Sequence, residues 1–145
     1  MTYARSVDFP PAEGDQDDEN GLNLTSTSYV SPQPRCETRF RAPSSGKVLV
    51  TVGGGVRDNS NANRVYLAAE VIESFGDGDT VFSAGDLESA FSGTPEGSNY
   101  MYGSRTLLVS GLDPGWTYIA RVLHRVDGGS TADYQVREII VEAVS

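Results

Sequence analysis

Apolar and polar residues alternate along most of the chain beyond residue 24, and this two-residue period predicts β-strands. The clearest run is residues 47–52, where Val48, Val50 and Val52 share one face of the predicted strand. Glycine, asparagine, aspartate and serine separate the runs, as they do in turns between strands. About eight strands and no convincing helix predict an all-β protein, an antiparallel β-sandwich with a jelly-roll-like arrangement.

The apolar phase changes once within the last predicted strand. The apolar residues of 132–136 share one face, whereas those of 139–143 share the other. This change predicts a β-bulge at Arg137 and Glu138, or a strand that is buried on both faces. The three glycines at residues 53–55 likewise predict a bulge, a bend or close backbone packing.

The first 24 residues do not follow the alternation and account for more than half of the net negative charge. They contain six acidic residues and one arginine, whereas the whole chain has a net charge of −9. This composition predicts an extended acidic N-terminal arm over residues 1–24 and a β-sandwich domain over residues 25–145. Tyr3, Val7 and Phe9 are then candidate anchors to a neighbouring protein, and the alternative is a solvated tail.

Composition excludes several classes of function. The chain has 145 residues, enough for one domain, and its 20 Asp+Glu against 11 Lys+Arg disfavour direct nucleic-acid binding. One cysteine and one histidine cannot form an intrachain disulfide or a thiolate zinc site. No apolar run approaches the ~20 residues of a membrane span, and the first residues lack the apolar region of a secretory signal.

No residue pattern points to catalysis. His124 falls on a strongly apolar predicted strand, so we interpret it as a hydrogen-bonded core histidine without a nucleophile elbow. Cys36 is interpreted as a structural residue, although two neighbouring arginines offer an alternative in which its pKa is lowered. Residues 15–21 resemble the start of a calcium loop, but Ser26 would stand where a bidentate carboxylate is needed. We therefore expect a non-enzyme with no catalytic, metal-binding or cofactor-binding residue.

Two features are candidates for binding. One predicted strand presents Ile119, Arg121, Leu123 and Arg125 on a single face, which suits either an oligomer interface or a second layer of core. The other feature is a set of tyrosines near loops rich in asparagine, glycine and serine, a composition typical of sugar or protein recognition. These tyrosines are Tyr66, Tyr100 and Tyr102.

Residues 112–118 resemble the tyrosine corner of fibronectin type III domains, in which a tyrosine hydroxyl holds the corner to the backbone. The residues that carry this resemblance are Leu112, Pro114, Gly115 and Tyr118. A wider resemblance covers residues 22–145 and links the chain to small β-sandwich virion proteins of tailed phages that infect actinobacteria. Its segments, in order, are residues 25–29, 40–54, 57–59, 63–67, 104–109, 112–118 and 128–133.

This second resemblance implies a structural role on a virus particle, often as a homotrimer and without catalytic residues. The implied protein is a capsid decoration or short head-fibre protein of the virion, assembled in the host cytoplasm. Its N-terminal arm would anchor it to the major capsid protein or to another virion protein. Two alternatives remain open: a minor tail or receptor-binding module that recognises host-surface glycans, and a free-standing carbohydrate-binding or adhesion domain.

Overall fold

The computed structural model describes residues 9–31, 34–59, 63–75, 78–94, 99–128 and 131–145. Within these ranges the chain is all-β, with ten strands and no helix. The strands are β1 (Glu13–Asp17), β2 (Gly21–Leu24), β3 (Glu37–Arg41), β4 (Val48–Asp58), β5 (Val65–Glu73), β6 (Thr80–Phe82), β7 (Ala90–Gly93), β8 (Met101–Val109), β9 (Thr117–Val126) and β10 (Ala132–Ala143).

The strands form two antiparallel sheets that pack face to face. The first sheet runs β1-β10-β4-β8 with β2 also paired to β10, and the second runs β3-β9-β5-β6 with β7 also paired to β5. Early strands pair with late strands in reverse order: β1 with β10, β3 with β9, β4 with β8, and β5 with β6 and β7. A long hairpin wrapped into two sheets in this way is a jelly roll, and the predicted fold is confirmed.

The acidic N-terminal segment contributes strands to the sandwich. β1 pairs along its whole length with β10, and β2 pairs with the beginning of β10. Residues 13–24 therefore differ from the predicted arm over residues 1–24, because hydrogen bonds to their own chain order them. The half-buried residues of β1 are Asp15 and Asp17, so the strand carries no apolar alternation that a hydrophobic pattern could detect.

The predicted bulge lies in β10, where the pairing with β4 shifts between Gln135 and Glu138. Val136 has a φ of 51°, and Gly54 of β4 faces the bulge with a φ of 153°. A Cβ on Gly54 would lie 3.0 Å from the carbonyl oxygen of Val136, so glycine is needed at this close approach. The bulge also turns Arg137 into the space between the sheets, where its side chain is fully buried.

The core fills the space between the two sheets and consists largely of valines from the four central strands. β-Branched residues suit this setting because they pack well on a pleated surface. The fully buried members contributed by β4, β5, β9 and β10 include Val50, Val52, Val56, Leu67, Ala69, Val71, Ala120, Val122, Val126, Ala132 and Ile139.

The corner before β9 is held by a tyrosine hydroxyl. The Asp113 amide donates a hydrogen bond to the Tyr118 hydroxyl at 2.9 Å, and the Leu112 amide donates to the Gly46 carbonyl at 3.1 Å. Gly115 has a φ of 82° in the turn that follows Pro114, a conformation that favours glycine. These contacts fix where β9 begins.

Candidate functional site

The structure divides the predicted interface on β9 into two halves. In the first half, Leu123 is buried and the Arg125 Nε donates to Asp86 Oδ1 at 2.8 Å. The Arg125 guanidinium lies 4.1 Å from the ring centroid of Tyr66, and the Tyr29 hydroxyl donates to Asp86 Oδ1 at 2.6 Å. Segments of the same chain thus cover Leu123 and Arg125, as the second layer of core would require and an interface with another copy would not.

The residues that cover this half of β9, Tyr29 and Asp86, are linked to Arg125 by charge and by hydrogen bonds. The Arg125 guanidinium holds the pKa of the Asp86 carboxyl below its ordinary value, mainly through their hydrogen bonds. Burial raises the pKa of the Tyr29 hydroxyl, and its hydrogen bond to Asp86 raises it further. The sequence pattern could not reveal the layer because Tyr29 and Asp86 are far from β9 along the chain.

The second half of the predicted interface stays partly open. Ile119 lies opposite Ile72 of β5, and both are half-buried on the outer face of the second sheet. The Arg121 Nε donates to Glu70 Oε1 at 2.9 Å, so the neighbouring charges on this face neutralise each other. Ile119 and Arg121 are therefore the two members of the predicted set that remain at the surface.

An exposed aromatic pair lies at the end of the same β5–β9 ladder. Phe75 and Trp116 meet edge to face with ring centroids 5.1 Å apart, and 46% of Trp116 is exposed. Arg39 and Arg41 of β3 are exposed nearby, and the Arg41 Nε donates to the Gly115 carbonyl at 3.1 Å. Exposed aromatic side chains beside arginines are typical of protein–protein interfaces.

Of the three predicted arm anchors, the structure describes Phe9. Its exposed side chain lines a groove of about 320 Å³ with residues 10–12 and with residues 142–143 from the end of β10. Tyr3 and Val7 lie outside the described residues. The groove lies directly before β1, where the chain joins the edge of the first sheet.

Neither candidate for nucleophilic chemistry has the environment that catalysis requires. Cys36 is fully buried, and this burial raises the pKa of its thiol to about 12, as a structural cysteine would show. His124 is buried as predicted, but neither ring nitrogen has a hydrogen-bond partner among the described residues. The predicted hydrogen bonding of His124 is therefore corrected. Burial and the neighbouring Arg137 lower the pKa of His124 to about 4.

We expect the buried His124 to make stability depend on pH between about 6.5 and 4. In this range the unfolded chain gains a proton at His124 that the folded chain does not bind, so the free energy of unfolding falls as pH falls. The loss at pH 4 should be about 3 kcal/mol in wild type. Urea unfolding of wild type and a His124→Gln variant measures it.

The variant should lose much less stability over that range, because glutamine does not titrate. The Asp86 and Asp133 carboxyls have lowered pKa values, so most of their contribution is lost below their ordinary value of 3.8 and little of it above pH 4. Parallel pH profiles of the two proteins between pH 6.5 and 4 would contradict the assignment to His124.

The three predicted binding tyrosines separate in the structure. Tyr66 is buried beneath Arg125, whereas Tyr100 and Tyr102 lie at the outer face of the first sheet with ring centroids 6.3 Å apart. The Arg57 guanidinium lies 4.5 Å from the ring centroid of Tyr100. The sequence pattern did not identify Arg57 as part of this surface, because its place beside Tyr100 depends on the pairing of β4 with β8.

Two of the acidic residues that resembled a calcium loop have partners within the protein. Asp15 Oδ2 accepts a hydrogen bond from the Glu37 amide at 3.1 Å, and Asp17 pairs with Arg137. Within the described ranges no three His, Cys, Asp or Glu side chains are grouped as metal ligands. In the same ranges, no helix has the length and apolar character needed to cross a membrane.

Comparison with known proteins shows that the fold of this chain is similar to that of solved viral structures. No protein-family model matches the chain, and no curated protein matches it in sequence. The T13 particle of infectious bursal disease virus matches with a TM-score of 0.58 and 14% identity, over 94% of this chain and 31% of that chain. The VP2 subviral particle of the same virus matches with a TM-score of 0.56 and 11% identity, over 93% and 34% of the two chains.

A xylan-binding CBM22-1 domain from Paenibacillus barcinonensis Xyn10C also matches, with 12% identity over 99% of this chain and 100% of that domain. Its TM-score of 0.39 is too low to establish a shared fold. The chain spans about a third of the viral chains it matches. At this level of identity the likeness concerns the fold alone, and this chain has a jelly roll similar to the one in those viral capsid proteins.

Proposed function

We propose that this chain is a non-enzymatic structural protein of a tailed-phage particle, a capsid decoration or short head-fibre protein that forms homotrimers. The observation that carries the proposal is the jelly roll, which is similar to that of a virus-particle protein over 94% of this chain, with a TM-score of 0.58. Jelly rolls occur in many capsid proteins because two sheets closed around one core give a rigid block with short edges. The resemblance in sequence to small phage virion proteins points the same way.

A structural role is also supported by the state of the reactive side chains. The thiol of Cys36 is buried with a raised pKa, and His124 is buried with a lowered pKa. A nucleophile with a base in reach would need a thiolate or an accessible imidazole. Neither residue provides this, so the proposal assigns no catalytic step to them.

The surface we propose for contact between copies is the end of the β5–β9 ladder, defined by the aromatic pair Phe75 and Trp116. The two rings meet edge to face, and both side chains are about half exposed. Arginines on β3 lie beside it, and the protein as a whole is strongly acidic, so charges of opposite sign are available to a second copy. We name this surface the Trp116 surface.

Replacing Trp116 and Phe75 together with serine should weaken self-association at least tenfold, because aromatic anchors carry much of the binding energy of an interface. Size-exclusion chromatography with light scattering, over a range of concentrations, measures the oligomeric state. The matched control is Leu87→Ser, since Leu87 is 82% exposed in the turn beside Asp86, which contacts Arg125 near the opposite end of β9. A monomeric wild type, or equal association of all three proteins, would contradict the proposed surface.

We propose that the residues before β1 attach the protein to the major capsid protein or another virion protein. Phe9 supports this, since it is exposed beside an apolar groove next to the first strand. A variant that lacks residues 1–8 and carries Phe9→Ser should fold but be lost from purified particles. Retention of this variant in the particles at the wild-type level would refute attachment by this segment.

A further inference from the structure

We propose that the outer face of the first sheet binds a neutral saccharide chain, with the rings of Tyr102 and Tyr100 as a stacking platform. The proposal rests on the geometry of this face and is independent of the structural role described above. It adds a binding activity that neither the jelly roll nor the Trp116 surface requires.

The ring of Tyr102 lies flat against the sheet. Gly55 of β4 is its cross-strand partner, and a Cβ on Gly55 would lie 2.6 Å from Tyr102 Cε1 and 3.0 Å from Cδ1. The ring therefore occupies the space that a side chain at residue 55 would fill, and its other side faces solvent. Tyr102 is 59% exposed, so a broad aromatic surface is presented outward.

Tyr100 extends this aromatic surface and is held in place. Its ring is tilted by 38° from that of Tyr102, and the Arg57 guanidinium lies against it. The Arg57 Nε donates to Asp133 Oδ2 at 2.7 Å, and Asn59 Nδ2 donates to Asp133 Oδ1 at 2.6 Å. A network of this kind fixes the platform before any ligand arrives, which lowers the entropic cost of binding.

The charge and composition of this face favour a neutral polar ligand. The Arg57 cation is compensated by Asp133, so an ionic ligand gains no free counter-charge here. Beside Tyr102, Gly53 carries no side chain, and the exposed Ser104 offers a hydroxyl. Further along β8, the Thr106 hydroxyl is hydrogen-bonded to the Thr51 hydroxyl at 2.8 Å. A pyranose ring has apolar C–H faces that stack on aromatic rings and equatorial hydroxyls that bond to such groups. A protein partner would need apolar side chains that flank the rings directly. The glycines beside the rings supply none, and the exposed Leu108 lies six residues further along β8.

Burial raises the pKa of the Tyr100 hydroxyl, so this group stays protonated over the physiological range. It can then both donate and accept a hydrogen bond with a sugar hydroxyl. The distance between the two ring centroids, 6.3 Å, is on the scale of one sugar residue in a chain. Neighbouring sugar rings of one chain can therefore contact the two tyrosines together.

The test is isothermal titration calorimetry of the full chain with neutral hexasaccharides of gluco-, galacto-, manno- and xylo-configuration. We expect at least one to bind, Tyr102→Ala to weaken that binding about tenfold or more, and Tyr102→Phe to retain it within about threefold. Leu108→Ala is the matched control, because Leu108 lies on the same strand and face and is 57% exposed. Its affinity should equal that of wild type.

The proposal is overturned if none of the four neutral probes binds, or if a bound probe keeps its affinity in Tyr102→Ala. It is also overturned if Leu108→Ala weakens binding as much as Tyr102→Ala, or if only acidic saccharides bind. Thermal melting checks that each variant is folded. Should Tyr102→Ala unfold, saturation-transfer NMR of wild type still decides the matter, since the sugar C–H protons must contact tyrosine ring protons.

Discussion

Replacing Asp17 with alanine should lower the free energy of unfolding by about 3–5 kcal/mol, because it leaves a buried cation without its counter-ion. Arg137 is 0% exposed, and its guanidinium donates to Asp17 and to the Pro34 carbonyl. The Nε and Nη1 of Arg137 have no hydrogen-bond partner within the described residues, so Asp17 is its main compensation. Urea unfolding followed by circular dichroism measures the change.

Two variants make this result specific. Asp18→Ala removes an exposed acid at the next position and should change stability by less than about 0.5 kcal/mol. The double variant Asp17→Asn with Arg137→Met removes both charges and should be as stable as wild type or more stable, since desolvating a buried pair is costly. A loss below about 1 kcal/mol in Asp17→Ala would show that the ion pair is not needed.

Deleting residues 1–20 should prevent the sandwich from folding stably, whereas deleting residues 1–8 should leave its stability unchanged. The longer deletion removes β1, which pairs with β10 at five successive positions and supplies Asp17. The expected loss is on the order of 5 kcal/mol or more, comparable with the whole stability of a domain of this size.

Circular dichroism and amide hydrogen exchange distinguish the two deletions. In the protein that lacks residues 1–20, amides of β10 should exchange rapidly, because an edge of the jelly roll is missing. In the protein that lacks residues 1–8, they should remain as protected as in wild type. Equal protection in both proteins would mean that residues 9–20 are an arm after all, as the charge pattern alone predicts.

Regular alternation made most of the strands predictable. The valines of residues 48–52 and the apolar residues of β9 identify buried strands, and the change of phase in β10 identified its bulge. β1 was missed because its half-buried residues are Asp15 and Asp17 rather than apolar side chains. Asp17 pairs with Arg137, which is more than a hundred residues away along the chain, and Asp15 accepts a hydrogen bond from the Glu37 amide of β3.

The surfaces were harder to predict than the strands, because what covers a residue is set by long-range contacts. Ile119 and Leu123 lie four residues apart on the same face of β9, yet other segments of the chain cover only Leu123. Tyr66 and Tyr102 each follow a loop rich in asparagine, glycine or serine. Tyr66 is nevertheless buried under Arg125, whereas Tyr102 is exposed. Composition identified the candidate tyrosines, and only the sheet register separates them.

The most direct test of the proposed function is to quantify this protein in purified, salt-washed virus particles by mass spectrometry and locate it by cryo-electron microscopy. The account predicts many symmetry-related copies on the particle, with Trp116 at contacts between copies and Phe9 facing the shell. Absence of the protein from washed particles would contradict the account. So would copies in which both residues face solvent.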